Sequence, residues 1–274
     1  MKWALDIDRR WIWLIIFIIV GFVIIRPLGL PIPIGPDAQN FYDTIDALPE
    51  GSNVLLGAAY EVGTVGEIQP MVRAFAYHAF KKNLKIFIFD AAWTNGPKLA
   101  ARAVEEAAKA LGKEYGVDWI NLGYKPGGST TYQLMTSNLL EAVKGVDQNG
   151  QALSQFPIMQ GITKVDRNTF AAIVATDVGS PGATDYYAFI GEPTGVPVLG
   201  MVITMEVPGF KPYVAAGQIK AMLPGSRGAA EYELLVGEPG QAISQQDGQS
   251  LAAIYVTLLI ILANVAWLTT RNKQ

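Results

Sequence analysis

The chain reads as a doubly wound α/β domain with a mainly parallel sheet of about five strands, flanked by an N-terminal and a C-terminal transmembrane helix. Three observations predict this. Residues 11–25, WIWLIIFIIVGFVII, form an uncharged apolar run preceded by Arg9 and Arg10 and closed by Arg26. A second apolar run covers residues 251–267. Between them, short apolar runs alternate with stretches of helical periodicity, the pattern of successive βαβ units whose right-handed crossovers build a parallel sheet covered on both faces.

The N-terminal run approaches the roughly 20 helical residues that a bilayer core of about 30 Å requires, provided Arg26 snorkels outward and residues 27–30 form the interfacial exit. A basic segment before an apolar one also fits a signal peptide. The following RPLGLPIPIGP offers no small-residue cleavage site, so an uncleaved anchor is expected. Lys2, Arg9 and Arg10 precede the first run, and Arg271 and Lys273 follow the second. The inner flanks carry Arg26 alone among bases, then acids such as Asp37, Asp43, Glu238 and Asp247. The positive-inside rule therefore predicts a two-pass cell-membrane protein with both termini cytoplasmic and the main domain outside, and Trp11, Trp13 and Trp267 suit an aromatic belt.

Residues 27–36, PLGLPIPIGP, predict a stiff, extended exit, and residues 40–48 a short helix. Residues 53–59 read as the first buried strand. Thr64 and Glu67 have capping-box spacing, and Ile68, Met71, Val72, Phe75, Ala76 and Ala79 mark one face of the helix that follows. Strands are expected at 84–89, 117–122, 170–176 and 196–204. Asn95 and Pro97 open a helix that Gly112 ends. A second capping-box spacing, Thr130 to Gln133, opens a helix running to Gly145, and further helical patterns cover 213–222 and 229–236. Residues 147–168 carry only weak signals and are longer than an ordinary connection. The organisation predicted is an anchor at 1–30, a proline-rich exit and short helix at 31–50, the α/β domain at 51–237, a polar tether at 238–250 and a second membrane helix at 251–270.

Of the 274 residues, 50% are hydrophobic, largely because of the two end segments, and the net charge is −3 with no basic stripe, which argues against nucleic acid as a partner. There are no cysteines, which removes disulfides, thiolate nucleophiles and cysteine metal sites together. The single histidine, His78, lies on the flank of a helical apolar stripe, as a packing histidine would, so enzyme readings lose their usual general base.

Ligands of open α/β sheets bind beyond the carboxyl ends of the strands. The loops expected there bring together the carboxylates Glu61, Asp90 and Asp177, the hydroxyls Thr94, Ser129 and Ser180, the ammonium of Lys125, and Gly127 and Gly128. GYKPGGST has glycines before a helix start that could cradle an anion. It misses the Walker spacing, because Ser129 stands where the lysine belongs, and a structural turn is the simpler reading. Asp90 and Asp177 could hold a divalent metal only by converging, since neither has a second acid beside it; strand-end aspartates more commonly cap the following loop. Ser180 in VGSPG lacks the glycine a nucleophile elbow needs at 178. No catalytic residue, metal or cofactor is assigned.

The segments EIQPM (67–71), KEYGVDW (113–119), LGYKPGG (122–128) and GSRGAAEYE (225–233), where two acids near a helix start suit its dipole, together resemble an uncharacterised family of prokaryotic membrane-anchored α/β proteins. The resemblance spans most of residues 53–237. It implies the doubly anchored architecture and no activity, so no catalytic residues carry over. Three functions remain open. One is a non-catalytic subunit of a membrane assembly, with the lipid bilayer and self-association or other membrane chains as partners, and with Asn264 favouring helix pairing. Another is a binding module for a small anion or sugar. The third is a metal-dependent hydrolase using Asp90, Asp177 or Glu61.

Overall fold

The computed structural model describes residues 7–26 and 28–271, and it divides into two units: the residues up to 32 together with those from 240, and residues 33–239. Lys2, Pro27 and Lys273, used above for orientation and for the exit, lie outside the described residues.

Residues 33–239 hold one six-stranded sheet: β1 (Asn53–Gly57), β2 (Lys85–Asp90), β3 (Trp119–Tyr124), β4 (Ala172–Asp177), β5 (Val198–Val202) and β6 (Ala221–Pro224). Every pairing is parallel and the order is β3-β2-β1-β4-β5-β6. The α/β reading holds with one strand more than expected. Leu55 of β1 lies level with Phe87 on one side and Ile173 on the other, so the chain reverses its direction of winding between β1 and β4. Strands such as KIFIFD are apolar almost throughout because both faces of the sheet are covered.

On one face, α3 (Val65–Lys81) packs against α4 (Gly96–Leu111) and α10 (Gly225–Val236), with α2 (Pro36–Asp46) beside α10 and β6. The opposite face carries an extended core cluster. There Leu55, Phe87, Phe89 and Ile173 meet side chains from α5 (Ser129–Met135), α6 (Leu139–Ala142) and α7 (Ala183–Tyr186). A π-helical turn (Tyr187–Gly191), the one-turn α8 (Glu192–Thr194) and α9 (Val207–Ala215) complete the connections. The weakly patterned 147–168 stretch is a core strap: Leu153, Ile158, Met159, Ile162 and Val165 are buried beneath it. Asp147 pins its start by accepting from the Tyr115 hydroxyl at 2.6 Å and from the Asn149 and Gln151 amides at 2.8 Å each.

Several local expectations are corrected. The helix expected over 213–222 is α9, which ends at Ala215; Gly217 turns with φ +72° and residues 221–224 form the extra strand. The helix expected from Thr130 to Gly145 is broken, and Asn138 restarts it by accepting from the Glu141 amide. Neither capping box forms. Thr64 makes no side-chain cap, and the Glu67 carboxylate instead accepts from the Thr204 amide and hydroxyl at 2.9 and 2.6 Å. Gly128, not Thr130, precedes α5. Glu231 of GSRGAAEYE does not serve the start of its own helix. Glu231, buried in mid-helix, accepts from the Gly35 amide at 3.0 Å, capping the start of α2, and from Arg227 at 2.8 Å. His78 is buried, its Nδ1 2.8 Å from the Tyr232 hydroxyl and its ring stacked on Tyr42. Burial pushes its pKa down to about 4, against the opposing pull of Asp46.

The second unit consists of α1 (Arg9–Ile25) and α11 (Gln241–Arg271) packed together. Among the described residues only α11 is long and apolar enough to cross a membrane; α1, at 17 residues, spans about 26 Å. The expected polar tether is helical, since α11 starts at Gln241 and its 31 residues extend about 46 Å. The pair is antiparallel: Gly248 faces Val20, and the Tyr255 hydroxyl donates to the Ile12 carbonyl at 3.3 Å. The exit after α1 is curled, not fully extended. Gly29 has φ +64°, and the Leu28, Gly29 and Leu30 amides donate to the buried Asp247 carboxylate at 2.9, 2.8 and 3.0 Å.

Candidate functional site

In a sheet of this order, the crevice for ligands lies beyond the carboxyl ends of β1 and β4, where the winding reverses. The sequence-selected residues lie around that edge: Asp90 and Asp177 end β2 and β4, Ser129 opens α5, and the others are on the loops. Their partners, however, come from the chain itself. The Glu61 carboxylate accepts from the Asn95 amide at 3.3 Å and from its side-chain Nδ2 at 2.7 Å, joining the loops after β1 and β2. Trp93 donates through Nε1 to the Pro181 carbonyl at 2.6 Å, joining the loops after β2 and β4.

Asp90, at the end of β2, is fully enclosed. One oxygen accepts from the Ala92 and Trp93 amides at 2.7 and 2.6 Å, and the other from the hydroxyls of Tyr132 and Tyr186 at 3.2 and 3.1 Å. Burial pushes its pKa up to about 6 in spite of those donors. Asp177 is also pushed up to about 6 by burial; it receives the Gly179, Ala183 and Thr184 amides, and so closes the turn into α7. Strand-end capping accounts for both aspartates. The described residues contain no group of three or more histidine or carboxylate side chains placed to hold a metal ion.

Tyr186 decides what the crevice can do. Its ring lies over the end of β1: a Cβ added at Gly57 would meet two of its ring carbons at 2.6 and 2.7 Å. Its hydroxyl reaches the Phe89 carbonyl at 2.9 Å as well as Asp90, and its ring packs at 4.6 Å against Tyr132. The start of α4 is equally closed, because a Cβ at Gly96 would run into the Ala58 carbonyl. Thus a fully buried tyrosine packs on one face of the sheet at the end of β1, beside the point where the winding reverses. Sequence reasoning missed both tyrosines, since their bonds to Asp90 link positions 42 and 96 residues apart and leave no local pattern.

The glycine loop is spent in the same way. Lys125 donates its amide to the Asp90 carbonyl and Gly128 to the Ala91 carbonyl, at 3.0 and 3.1 Å, and a Cβ at Gly127 would strike the Thr131 hydroxyl. The Lys125 ammonium is half-buried, and burial, with Lys144 nearby, lowers its pKa. Thr94, Ser129 and Ser180 are exposed, the last donating to Asp185 at 3.3 Å. Among the described residues no side chain of this set is hydrogen-bonded to another.

A separate hollow of about 550 Å³ opens beside β3, lined by Lys98 and Arg102 of α4 and by Tyr115, Trp119, Asn121 and Gln148. Behind it the outer edge of β3 is already satisfied. The Gln148 amide donates to the Asn121 carbonyl, the Gly116 amide to the Trp119 carbonyl, and the Asn121 amide meets the Tyr115 hydroxyl. That edge is closed to strand addition.

No known protein-family model matches the chain and no curated protein matches it, so the family resemblance rests on the quoted motifs alone.

Proposed function

We propose that this chain is a non-catalytic subunit of an oligomeric membrane assembly, held by α11 as a bilayer-crossing helix with α1 packed along it, and presenting the α/β body outside the cell. The observation that carries this reading is that Tyr186, packed at the end of β1 beside the β1–β4 reversal, takes up Asp90 and the Phe89 carbonyl at the edge where the fold would otherwise bind a ligand. The carboxylates that a hydrolase would need are committed to amides and hydroxyls of the same chain.

Membrane attachment is supported by the outer surface of the helix pair, where Trp13, Phe17, Ile18, Ile254, Leu258 and Ile260 are exposed. The antiparallel pairing supports a two-pass arrangement with both chain ends on one side, the side that the basic Arg9 and Arg10 assign to the cytoplasm. The shortfall of α1 against a bilayer core of about 30 Å suits a span that continues into its flanking residues.

A second reading, a small-anion binding module, is favoured by one feature only: Lys98 and Arg102, one helical turn apart, overlook the hollow beside β3, whose lining also carries Glu105, itself paired with Lys109.

The native mass of the protein extracted from its membranes in mild detergent tests the reading, with co-purifying chains and small molecules identified. A discrete multimer is expected. A monomer carrying a bound metabolite would overturn the assembly reading in favour of the binding module.

A further inference from the structure

Polar residues recur on the face of α11 turned away from its intramolecular partner. Gly248 faces α1, Tyr255 bonds to it, and Ala266 is buried. Nine residues separate Thr257 from both Gly248 and Ala266, and nine separate Asn264 from Tyr255. Nine steps of about 100° make two and a half turns, so Thr257 and Asn264 stand on the opposite side of the helix. Ser250, Thr257 and Asn264 follow one another at intervals of seven, with Ala253, Ile261 and Leu268 three or four positions after each. Only the polar row keeps a strict interval of seven; beside it each polar residue is followed at +3 and +4 by an apolar pair, Ala253 and Ile254, Ile260 and Ile261, and Trp267 and Leu268, which together make a heptad seam.

In hydrocarbon these polar groups are costly unless partnered. The Thr257 hydroxyl donates to the Ala253 carbonyl and the Asn264 Nδ2 to the Ile260 carbonyl, each at 2.8 Å, which satisfies one donor apiece. The Asn264 Oδ1 and second amide hydrogen have no partner among the described residues.

We propose that a second copy of this chain docks along this seam, forming a parallel α11 pair in which the two Asn264 amides hydrogen-bond to each other. A second copy is the complement the seam itself specifies. Held in the same orientation by the same body, it presents polar groups at the same three depths, and an amide is both donor and acceptor, so it pairs with itself across a two-fold axis. A heterologous span would need its own polar groups at all three levels. The inference rests on the membrane reading of α11 and adds the partner and the register.

The absence of cysteine makes the test direct, because any introduced thiol is the only one. Single variants of the full-length chain, Ala253→Cys, Ile261→Cys and Leu268→Cys on the seam and Leu258→Cys and Val265→Cys about a quarter-turn away, are oxidised in native membranes. The seam variants should give a disulfide-linked species of twice the chain mass, while Leu258→Cys and Val265→Cys, comparably exposed, should not. Asn264→Leu added to the Ala253→Cys chain should weaken the dimer roughly three- to thirty-fold, the range seen for a hydrogen bond between membrane helices. Equal crosslinking at all five positions, none at any, or adducts to a chain of different mass would overturn the seam. Recovery of the chain in the soluble fraction before oxidation would overturn the membrane reading itself, so the two failures are told apart.

Discussion

The α/β body and the helix pair obey one rule with opposite results. In the body, large apolar side chains are inside and every buried carboxylate described above is met: Asp90 by four donors, Asp147 by three, Glu231 by two. In the helix pair, the apolar side chains are outside, with Phe17 75% and Leu258 59% exposed, while the carboxylate of Asp247 is completely enclosed. Each polar group has partners and each apolar group has surroundings of its own kind, but the surroundings differ. Exposed apolar side chains in this number mark the outer face of the pair, unlike the surface of the body, as a contact surface.

The strongest break in this comparison comes from the body. Tyr186→Ala removes a fully buried aromatic ring and strips a donor from both Asp90 and the Phe89 carbonyl, and the expected loss is about 3–5 kcal/mol. Tyr186→Phe keeps the ring and removes the one hydroxyl proton that Asp90 and the Phe89 carbonyl share, for about 1–3 kcal/mol. Denaturant unfolding followed by tryptophan fluorescence separates the two variants. Equal stability of Tyr186→Ala and the parent chain would show that the ring does not pack at the end of β1, and would reopen that edge to a ligand.

A smaller effect is expected in the pair. Asp247→Ala removes the acceptor of the Leu28, Gly29 and Leu30 amides, so these three should exchange with solvent deuterium about ten- to a hundred-fold faster, corresponding to about 1–3 kcal/mol of local opening. Amides of β1 and β2 should keep their protection. If those strands lost protection as well, the two regions would be one cooperative unit and the contrast between them would collapse.

Much of the body was legible in the sequence because its strands are buried on both faces and so read as unbroken apolar runs, while its helices carry a clear stripe. What stayed hidden depends on distant partners. Thr64 and Glu67 have the right spacing for a capping box, yet Glu67 finds Thr204, 137 positions away. The four residues of β6 form too short an apolar run to be told from the end of a helix. The polar residues 241–250 resemble a linker by composition, but they are helical because Asp247 and the neighbouring buried face of α11 have partners. The candidate site shows the same limit. Its residues are on the strand-end loops, as the alternation of strands and helices required. Their engagement with Tyr132, Tyr186 and Asn95 is a product of folding, not of spacing.

The smallest expected effect concerns pH, and it sharpens the account of the body's buried charges. Asp90 and Asp177 titrate in the folded state near 6, above the unfolded value of about 3.9, so the folded state binds protons more readily and each aspartate adds stability as pH falls from 7 to 5, by roughly 1 kcal/mol. His78 works the other way. Its folded pKa near 4 lies below the unfolded value of about 6.5, so the unfolded state takes up the proton first and the same change in pH removes roughly 2 kcal/mol. The opposed contributions nearly cancel, and the parent chain should show a flat stability profile between pH 5 and 7. His78→Gln removes one side of the balance. Whatever it costs at pH 7 through lost stacking on Tyr42, the variant should gain about 2 kcal/mol relative to that value on acidification to pH 5. Unfolding midpoints of both chains at the two pH values measure this directly. A variant profile as flat as the parent's would mean that Asp90 and Asp177 are not held above their ordinary range, and that their donors stabilise the charged carboxylates as fully as water does.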